Sequence, residues 1–242
     1  NMSNMFHVGG APSTRPSDGQ PNTLQLSNWD VSNVTNFSQF GMGNNFNQSD
    51  KRVNGLGFDI TNWNTAEATS FSSAFRNKGV ITGLENLNTS KVTNMYAMFM
   101  SRDTTYPDLK TKVVNGTVRW SVKKVTSFGA MFGGTYGGAT FTNSTFPTNW
   151  WISGDGQDVN MAGMFGQNAD NRGSFRSLTD VNAFATKTIA SGSSPYGSSY
   201  TAWDMSKVTS LQSWAYNGQS ANMSGKNWNI GTWQISNKCT NL

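Results

Sequence analysis

The chain has little of what disulfide-bonded, zinc-binding and membrane-spanning proteins require. It contains one cysteine, Cys239, and one histidine, His7, among 242 residues. A single cysteine excludes an internal disulfide framework, and one cysteine with one histidine cannot supply a zinc site of familiar spacing. No run approaches the roughly 18 apolar residues that a membrane-spanning helix needs. Cys–His or Ser–His catalysis would depend on His7, which lies in a glycine-rich stretch.

Charged residues are also scarce. They make up 13% of the chain, about half the usual share. The formal net charge is +5, yet the longest basic runs are the pairs Lys51-Arg52 and Lys123-Lys124. A nucleic-acid-binding domain usually gathers its lysines and arginines into a stripe. The charge pattern therefore disfavours nucleic acid as a partner, while weak affinity for acidic glycans or other anionic surfaces stays open.

Aromatic residues are abundant, and many of them belong to one recurring motif. The chain has nine tryptophans and 15 phenylalanines, which argues against disorder. The motif reads Trp-Asp-Val-Ser-Asn-Val-Thr-Asn-Phe-Ser-Gln-Phe-Gly at residues 29–41, numbered below from position 1 (Trp) to position 13. Further copies occupy residues 63–75, 87–99, 120–132 and 203–215, with partial copies at 1–6, 160–165 and 233–242. Repetition at intervals of about 20–50 residues indicates one supersecondary unit stacked on itself.

The spacing inside the motif predicts the elements of each unit. Apolar residues at position 1, two residues later and three residues earlier predict a short strand. The Thr at position 7 and the Asn or Ser at position 8 are both candidates for a helix N-cap. Apolar residues at positions 9, 12 and 13, such as Phe71, Ala74 and Phe75, predict one face of a short helix.

These elements together predict an α/β repeat fold. It would be a leucine-rich-repeat-like solenoid of short parallel strands and short helices with irregular loop insertions. We expect residues 1–242 to form a single solenoid of about seven irregular units. The motif is incomplete at both ends, so we expect a segment of a longer protein.

The copies at 29–41 and 203–215 resemble the BspA-like leucine-rich repeats of bacterial surface proteins, in the subtype with the consensus W-D-V-S-x-V-T-N-M-x-x-M-F. The resemblance covers most of the chain. It implies an extracellular, cell-surface, non-catalytic role in adhesion to, or recognition of, a protein or glycan. Gly41 and Ala215 depart from the closing Phe, and the unit around Trp150 to Phe165 lacks a clean first half.

A second function is compatible with the same pattern. The chain could be a structural component of a virion (a fibre, appendage or coat) or of a surface filament. It would then assemble with copies of itself or with other chains, as stacked repeats with large surfaces allow.

The residues that do not repeat are the better candidates for a site. The insertions between copies are uneven, and in repeat proteins such insertions map to loops on one face, often the binding face. Aromatic side chains there either form a recognition surface or pack the insertions. The binding candidates are Trp150, Trp151, Tyr136, Tyr196, Tyr106 and Trp228.

Three further patterns have ordinary explanations beside a functional one. Residues 155–158, Asp-Gly-Gln-Asp, could touch calcium, but they lack the full acidic ladder of an EF-hand loop and also fit a plain turn. Residues 121–124 match the S-x-x-K motif of penicillin-recognising enzymes, although both ends fall in ordinary repeat columns. Position 5 forms either a solvated charge ladder or a patch for an anionic partner. Its residues are Asn33, Glu67, Lys91, Lys124 and Lys207. We therefore expect no enzymatic activity, no cofactor and no metal.

Overall fold

A computed structural model describes residues 1–6, 23–42, 57–76, 80–100, 106–133, 141–166, 178–214 and 228–240. Over these residues the chain is mostly turns and irregular backbone with nine short strands. The strands are β1 (Thr23–Gln25), β2 (Gly57–Asp59), β3 (Ile81–Thr82), β4 (Lys112–Val114), β5 (Thr117–Arg119), β6 (Val159–Asn160), β7 (Lys187–Ile189), β8 (Tyr200–Ala202) and β9 (Val208–Ser210). Two single-turn 3₁₀ helices occupy Leu84–Asn86 and Ser191–Ser193.

The strands form four small sheets. Strands β1, β2 and β3 pair in parallel, as do β6 and β9. Strands β4 and β5 form one antiparallel hairpin, and β7 and β8 form another. Neighbouring copies of the motif are also joined by single parallel bridges at position 8, in the order Asn36, Ser70, Asn94, Ser127 and Asn160.

The predicted α/β solenoid is wrong, because the described residues contain no α-helix. In the copy at 63–75, the backbone N–H of Phe71 donates to Asn94 O at 2.9 Å, and that of Phe75 donates to Met98 O at 2.9 Å. Both acceptors lie in the next copy, whereas an α-helix needs acceptors four residues back. Within the copy, the Ala74 N–H donates to Phe71 O at 3.0 Å and closes a turn. Positions 9–13 therefore form stacked turns in place of a helix.

Position 11 has a left-handed backbone in the copies of the motif. A helix requires negative φ at each residue, but φ here lies between 51° and 62°. Positive φ at the third residue is what a type II turn requires. The residues with this conformation are Asn4, Gln39, Ser73, Ala97, Ala130, Gly163 and Ser213.

The two predicted N-cap columns have different roles in these turns. The Asn36 Oδ1 atom accepts the Ser38 N–H at 2.8 Å, and the Asn94 Oδ1 atom accepts the Tyr96 N–H at 2.9 Å. Position 8 thus supplies a side-chain acceptor to a turn, the same chemistry that it would supply to a helix. The position 7 hydroxyl reaches the neighbouring copy, since Thr126 Oγ1 donates to Thr93 O at 3.0 Å.

The strand predicted around position 1 is wrong in the copy at 63–75, although β5 and β8 occupy the three residues before Trp120 and Trp203. The Trp63 N–H donates to Ile60 O and the Ala68 N–H donates to Thr65 O, each at 3.0 Å. These bonds close two successive turns where an extended strand was expected. The parallel strands β1 to β3 lie just before this segment. The described residues therefore form small sheets and single bridges, with no continuous coil of strands and helices.

The apolar columns form the core as stacks of aromatic rings. At position 13, Phe75, Phe99, Phe132 and Phe165 follow one another with ring centroids 5.3–6.0 Å apart and interplanar angles of 13–16°. Burying each ring contributes about 2–3 kcal/mol, and face contact between neighbours adds to this. The stacked turns are therefore held by ring packing together with the bonds between copies.

Gly41, which stands where other copies have Phe, has a structural explanation. A Cβ atom at Gly41 would lie 2.5 Å from Phe58 Cε2 and 2.8 Å from Phe58 Cζ. Phe58, from strand β2, thus occupies the space next to this position, and its ring lies 6.0 Å from that of Phe6. The ring missing from one copy is replaced by a ring from outside the motif.

Candidate interaction surface

Trp150 belongs to the repeat and not to a binding loop. Its side chain is fully buried, and its ring stacks between those of Trp120 and Trp203 with centroids 6.4 Å away on each side. The indole Nε1 donates to Leu109 O at 2.8 Å. Ile152, two residues later, is buried like other position 3 residues. The first half of this copy is therefore present, and residues 153–158 interrupt it.

Two further candidates from the sequence pack against other aromatic rings. Tyr106 is 2% exposed, and its ring stacks on Phe141 at 4.4 Å. Trp228 is partly buried and packs against Phe184 with centroids 5.3 Å apart. Tyr136 lies outside the described residues. Trp150 and Tyr106 are buried and packed against other rings, and packing was one of the two predicted roles.

Trp151 and Tyr196 come together, and Tyr200 joins them. The Trp151 ring lies 5.4 Å from Tyr196 and stacks on Tyr200 at 5.0 Å, with an interplanar angle of 22°. The two tyrosine rings meet edge to face at 5.4 Å. Trp151 and Tyr196 are partly exposed, and Tyr200 is buried.

A cation and a carboxylate complete this cluster. The Lys123 Nζ atom lies 5.0 Å from the centre of the Trp151 ring, within range of a cation–π contact. The same atom forms a 2.9 Å ion pair with Asp155 Oδ1. We call Lys123, Trp151, Asp155, Tyr196 and Tyr200 the insertion face.

The loop at 153–158 is fixed tightly against this cluster. The Gln157 Nε2 atom donates to Lys123 O at 2.8 Å, and the Asp155 N–H donates to the same carbonyl at 3.2 Å. A Cβ atom at Gly154 would overlap Lys123 Cγ and would lie 2.9 Å from Trp151 Cδ2. The loop can approach this closely because residue 154 is a glycine.

Both tyrosines are held by hydrogen bonds at their phenol groups. The Tyr200 OH donates to Asn149 O at 2.6 Å, and the Tyr196 OH lies 3.1 Å from Ser121 Oγ. Burial raises the pKa of Tyr196, an effect that hydrogen bonds from Ser121 and Thr111 oppose. Burial also raises the pKa of Tyr200, and the neighbouring Tyr196 adds to this rise. Both phenols are therefore kept neutral and in place.

Three separate insertions meet at the insertion face, next to Lys123 and Trp151 of the motif. Residues 100–119 contribute Thr111, whose N–H donates to Asn149 Oδ1 at 3.0 Å and whose hydroxyl donates to Trp120 O at 2.8 Å. Residues 153–158 contribute Asp155, and the loop of the β7–β8 hairpin contributes Tyr196. Segments far apart in sequence thus meet at one place beside the stacked turns.

Sequence reasoning missed Tyr200 and Lys123, and it overlooked one signal. Tyr200 stands three residues before Trp203 and was assigned to the apolar core column. Asn115-Gly116, between the short runs of β4 and β5, is a strong hairpin signal. Both residues have positive φ, at 50° and 72°. Recognising this hairpin would have placed Thr111 opposite Trp120 and brought the two ends of the insertion together.

Charged residues of the other patterns noted in the sequence form ion pairs. Asp155 pairs with Lys123, and Asp158 pairs with Lys238 at 2.9 Å. No group of three or more His, Cys, Asp or Glu side chains in the described ranges could hold a metal ion. In the position 5 column, Lys91 and Glu67 form a half-exposed pair at 2.6 Å. Their side chains are solvated, as a charge ladder requires.

Residues 1–52 and 50–175 match the family model described as "Mycoplasma protein of unknown function, DUF285". The chain belongs to this family. DUF285 is associated with BspA-like proteins, and its description assigns no function. No curated protein and no solved structure matches the chain. The matched residues include Lys123, Trp151 and Asp155 but end before the two tyrosines of the insertion face.

The part of the chain that the structure describes contains no helix long and apolar enough to cross a membrane.

Proposed function

We propose that this DUF285 protein is a non-enzymatic recognition protein displayed outside the cell, which binds a protein or glycan through its insertion face. The observation that carries the proposal is the convergence of three insertions on Trp151, Tyr196 and Tyr200. The stacked turns would be the scaffold that holds these insertions. Extracellular display is proposed from the resemblance to BspA-like surface proteins and from the association of the family with them.

The geometry supports a recognition role because the aromatic groups are held in place before any partner arrives. Rings that are already ordered lose little conformational entropy on binding. Trp151 is packed by Lys123, Gly154 and Tyr200, while part of its surface stays accessible. Tyrosine and tryptophan offer large contact area with a polar end, which suits both sugars and proteins.

The repeat columns are less suited to specific recognition. Their aromatic residues are buried and pack between copies, as Phe75, Phe99 and Phe132 do. Their exposed residues at positions 5 and 7 are polar or charged, such as Lys91 and Thr93, and offer no aromatic surface to a partner. The non-repeating insertions are where one copy differs from the next, and specificity needs such differences.

The proposal is tested by measuring attachment of the protein to a panel of immobilised polysaccharides and extracellular-matrix proteins. The double variant Trp151→Ala/Tyr196→Ala should lose attachment to whichever surface retains the wild-type chain. Tyr96→Ala is the matched control, because Tyr96 is 49% exposed but lies on the repeat motif at position 10. Far-UV circular dichroism should be the same for all three chains.

Attachment of the double variant at the wild-type level would reject the insertion face as the binding site. Equal loss in Tyr96→Ala would move recognition to the repeat columns. Light scattering on the same preparations should give a monomer. Regular polymers would instead favour a structural component of a virion or filament.

A further inference from the structure

The β4–β5 hairpin turns at an asparagine–glycine pair that faces solvent. Val114 pairs with Thr117, so Asn115 and Gly116 form a two-residue loop, and their φ values of 50° and 72° fit a type I′ turn. Both loop residues are exposed. Apart from its chain neighbours, no residue comes within 4 Å of the position that a Cβ atom would take at Gly116. The turn is therefore open to water and has room for a change in its covalent structure.

The fold does not hold the Asn115 side-chain amide, which makes no hydrogen bond to the residues that the structure describes. At position 8 of the motif, by contrast, the Asn36 Oδ1 atom accepts a backbone N–H at 2.8 Å. Asn143 is exposed and precedes a serine, but three hydrogen bonds of 2.7–2.9 Å fix its amide to the 179–180 segment. The Asn115 amide can therefore rotate freely, whereas the Asn143 amide cannot.

An unrestrained asparagine before a glycine is chemically labile. The backbone nitrogen of Gly116 can attack the Asn115 Cγ atom, because glycine has no side chain to block the approach. A C–N bond forms, the amide nitrogen leaves as ammonia with the proton of the attacking nitrogen, and a five-membered succinimide remains. Water then opens the ring at one of its two carbonyl groups and gives aspartate or isoaspartate. The sequence of steps needs water and no oxidant, reductant or enzyme.

The hairpin is short enough for its turn to open. Ring formation requires opening, because the left-handed backbone at Asn115 differs from the backbone geometry of a succinimide. The hairpin has only three residue pairs, and so short a two-stranded hairpin is marginally stable. Val113, beside the turn, is 53% exposed, so little apolar burial keeps the tip closed. Segments with few buried contacts open locally at low free energy.

We infer that Asn115 is a site of spontaneous covalent modification, at which deamidation to aspartate or isoaspartate slowly loosens the insertion face. Isoaspartate has the larger effect, because it adds a carbon atom to the main chain within a two-residue turn whose length sets the strand register. At the base of the hairpin, Thr111 donates to Trp120 O at 2.8 Å and hydrogen-bonds to Tyr196. Loss of the register would therefore release one of the contacts that hold Tyr196.

The test is to incubate the full chain at mildly alkaline pH and to map its peptides by mass spectrometry, with isoaspartyl methyltransferase labelling to identify isoaspartate. Conversion at Asn115 should be about tenfold faster or more than at Asn143, where three hydrogen bonds must break first. Asn115→Gln should stay unmodified at this position, because its longer side chain would have to close a six-membered ring. Two other Asn-Gly pairs, at 54–55 and 217–218, lie outside the described residues, and separate peptides distinguish them.

Hydrogen exchange then measures the effect on the hairpin. In the isoaspartate fraction of the incubated wild type, the backbone amides of residues 112–119 should exchange severalfold faster than in fresh protein. Asn115→Asp is the matched control, because it carries the same new charge on an unaltered main chain. It should exchange as fresh wild type does, since an aspartate–glycine pair supports the same turn.

Each part of the inference has its own contrary result. Equal conversion at Asn115 and Asn143 would reject the modification site. Conversion with unchanged exchange would show that the hairpin tolerates isoaspartate, and the loosening of the insertion face would be rejected. Equally fast exchange in Asn115→Asp would assign the effect to charge and reject the role of the extended main chain. The attachment assay uses fresh protein, so none of these results bears on the proposed recognition function.

Discussion

In the stacked copies of the motif, aromatic rings at position 13 of successive copies lie nearly parallel, whereas the rings of the insertion face meet at many angles. The position 13 rings are 13–16° from parallel. The rings of Trp151, Tyr196 and Tyr200 meet at 22°, 63° and 80°. Parallel stacking follows from placing the same residue on the same backbone in successive copies. The insertion face has no such regularity, so each of its contacts depends on one particular pair of side chains.

The two regions also satisfy their polar groups differently. In the stack, the indole N–H of position 1 donates to a backbone carbonyl of an earlier segment, as Trp63 Nε1 does to Leu26 O at 2.8 Å and Trp120 Nε1 to Leu84 O at 2.7 Å. In the insertion face the partners are mixed, because Ser121 and Asp155 contribute side chains while Asn149 contributes a backbone carbonyl to Tyr200. Damage to the stack should therefore spread to neighbouring copies, as in other repeat arrays. Damage to the face should stay local.

The largest expected effect is the loss of a stacked tryptophan. Trp120→Ala removes a fully buried ring and a hydrogen bond, and it should lower the free energy of unfolding by about 3–5 kcal/mol. Trp151→Ala removes a partly exposed ring of the same type from the insertion face, and it should cost about 1 kcal/mol. Urea denaturation followed by far-UV circular dichroism measures both. Equal losses would mean that the insertion face is as much a part of the core as the stack, and the distinction between the two regions would fail.

Much of the core could be predicted from the sequence, but the backbone around it could not. Phe71, Ala74 and Phe75 were placed in the core, and they are buried. Their spacing indicates a helix, yet two successive turns with positive φ at Ser73 bring the same three side chains to one side. The spacing of apolar residues indicates which side chains point inward, but it does not indicate which carbonyl groups accept the backbone N–H groups. Here the N–H groups donate to the next copy, an outcome that no local pattern reveals.

The candidate site was predicted in part, for a similar reason. Trp151 and Tyr196 were chosen as loop aromatics, and the structure brings them together. Trp150 was predicted with them because residues 153–158 interrupt its copy of the motif, so that the copy is hard to recognise in the sequence. Tyr200 was missed because it stands in a column that is apolar in other copies. Contacts between distant insertions depend on how the hairpins fold over the stack, and a single sequence does not specify that.

A glycine substitution separates stacked turns from the helix that the sequence predicted. At Gly163, φ is +62° and the nearest atom to an added Cβ would be Ala130 N at 3.9 Å. Gly163→Ala should therefore cost about 1 kcal/mol from backbone strain alone. In a helix the same change would stabilise by up to about 1 kcal/mol.

Gly192→Ala is the matched control for this substitution. Gly192 lies in the loop of the β7–β8 hairpin, its φ is not positive, and nothing lies within 4 Å of an added Cβ. It should leave the melting temperature unchanged or raise it slightly. A rise in melting temperature for Gly163→Ala would contradict the stacked turns and restore the helix.

The smallest expected effect is specific to the insertion face and is seen only at alkaline pH, where the free energy of unfolding should depend on Tyr196. The pKa of Tyr196 is raised above its ordinary value of 10.0 because the phenol is buried. The unfolded chain therefore releases this proton at a lower pH than the folded chain does. The contribution of the neutral Tyr196 phenol to the free energy of unfolding is fully present below about pH 10 and is lost as the pH rises through the folded-state pKa.

Tyr196→Phe should accordingly lessen the fall in unfolding free energy between pH 9 and pH 11, when urea denaturation is repeated across that range. Tyr96→Phe removes an exposed phenol from the repeat motif and is the control for the loss of a phenol group as such. The same slope for all three chains would mean that the Tyr196 phenol is as solvated as that of Tyr96, and the packed insertion face would lose its main support.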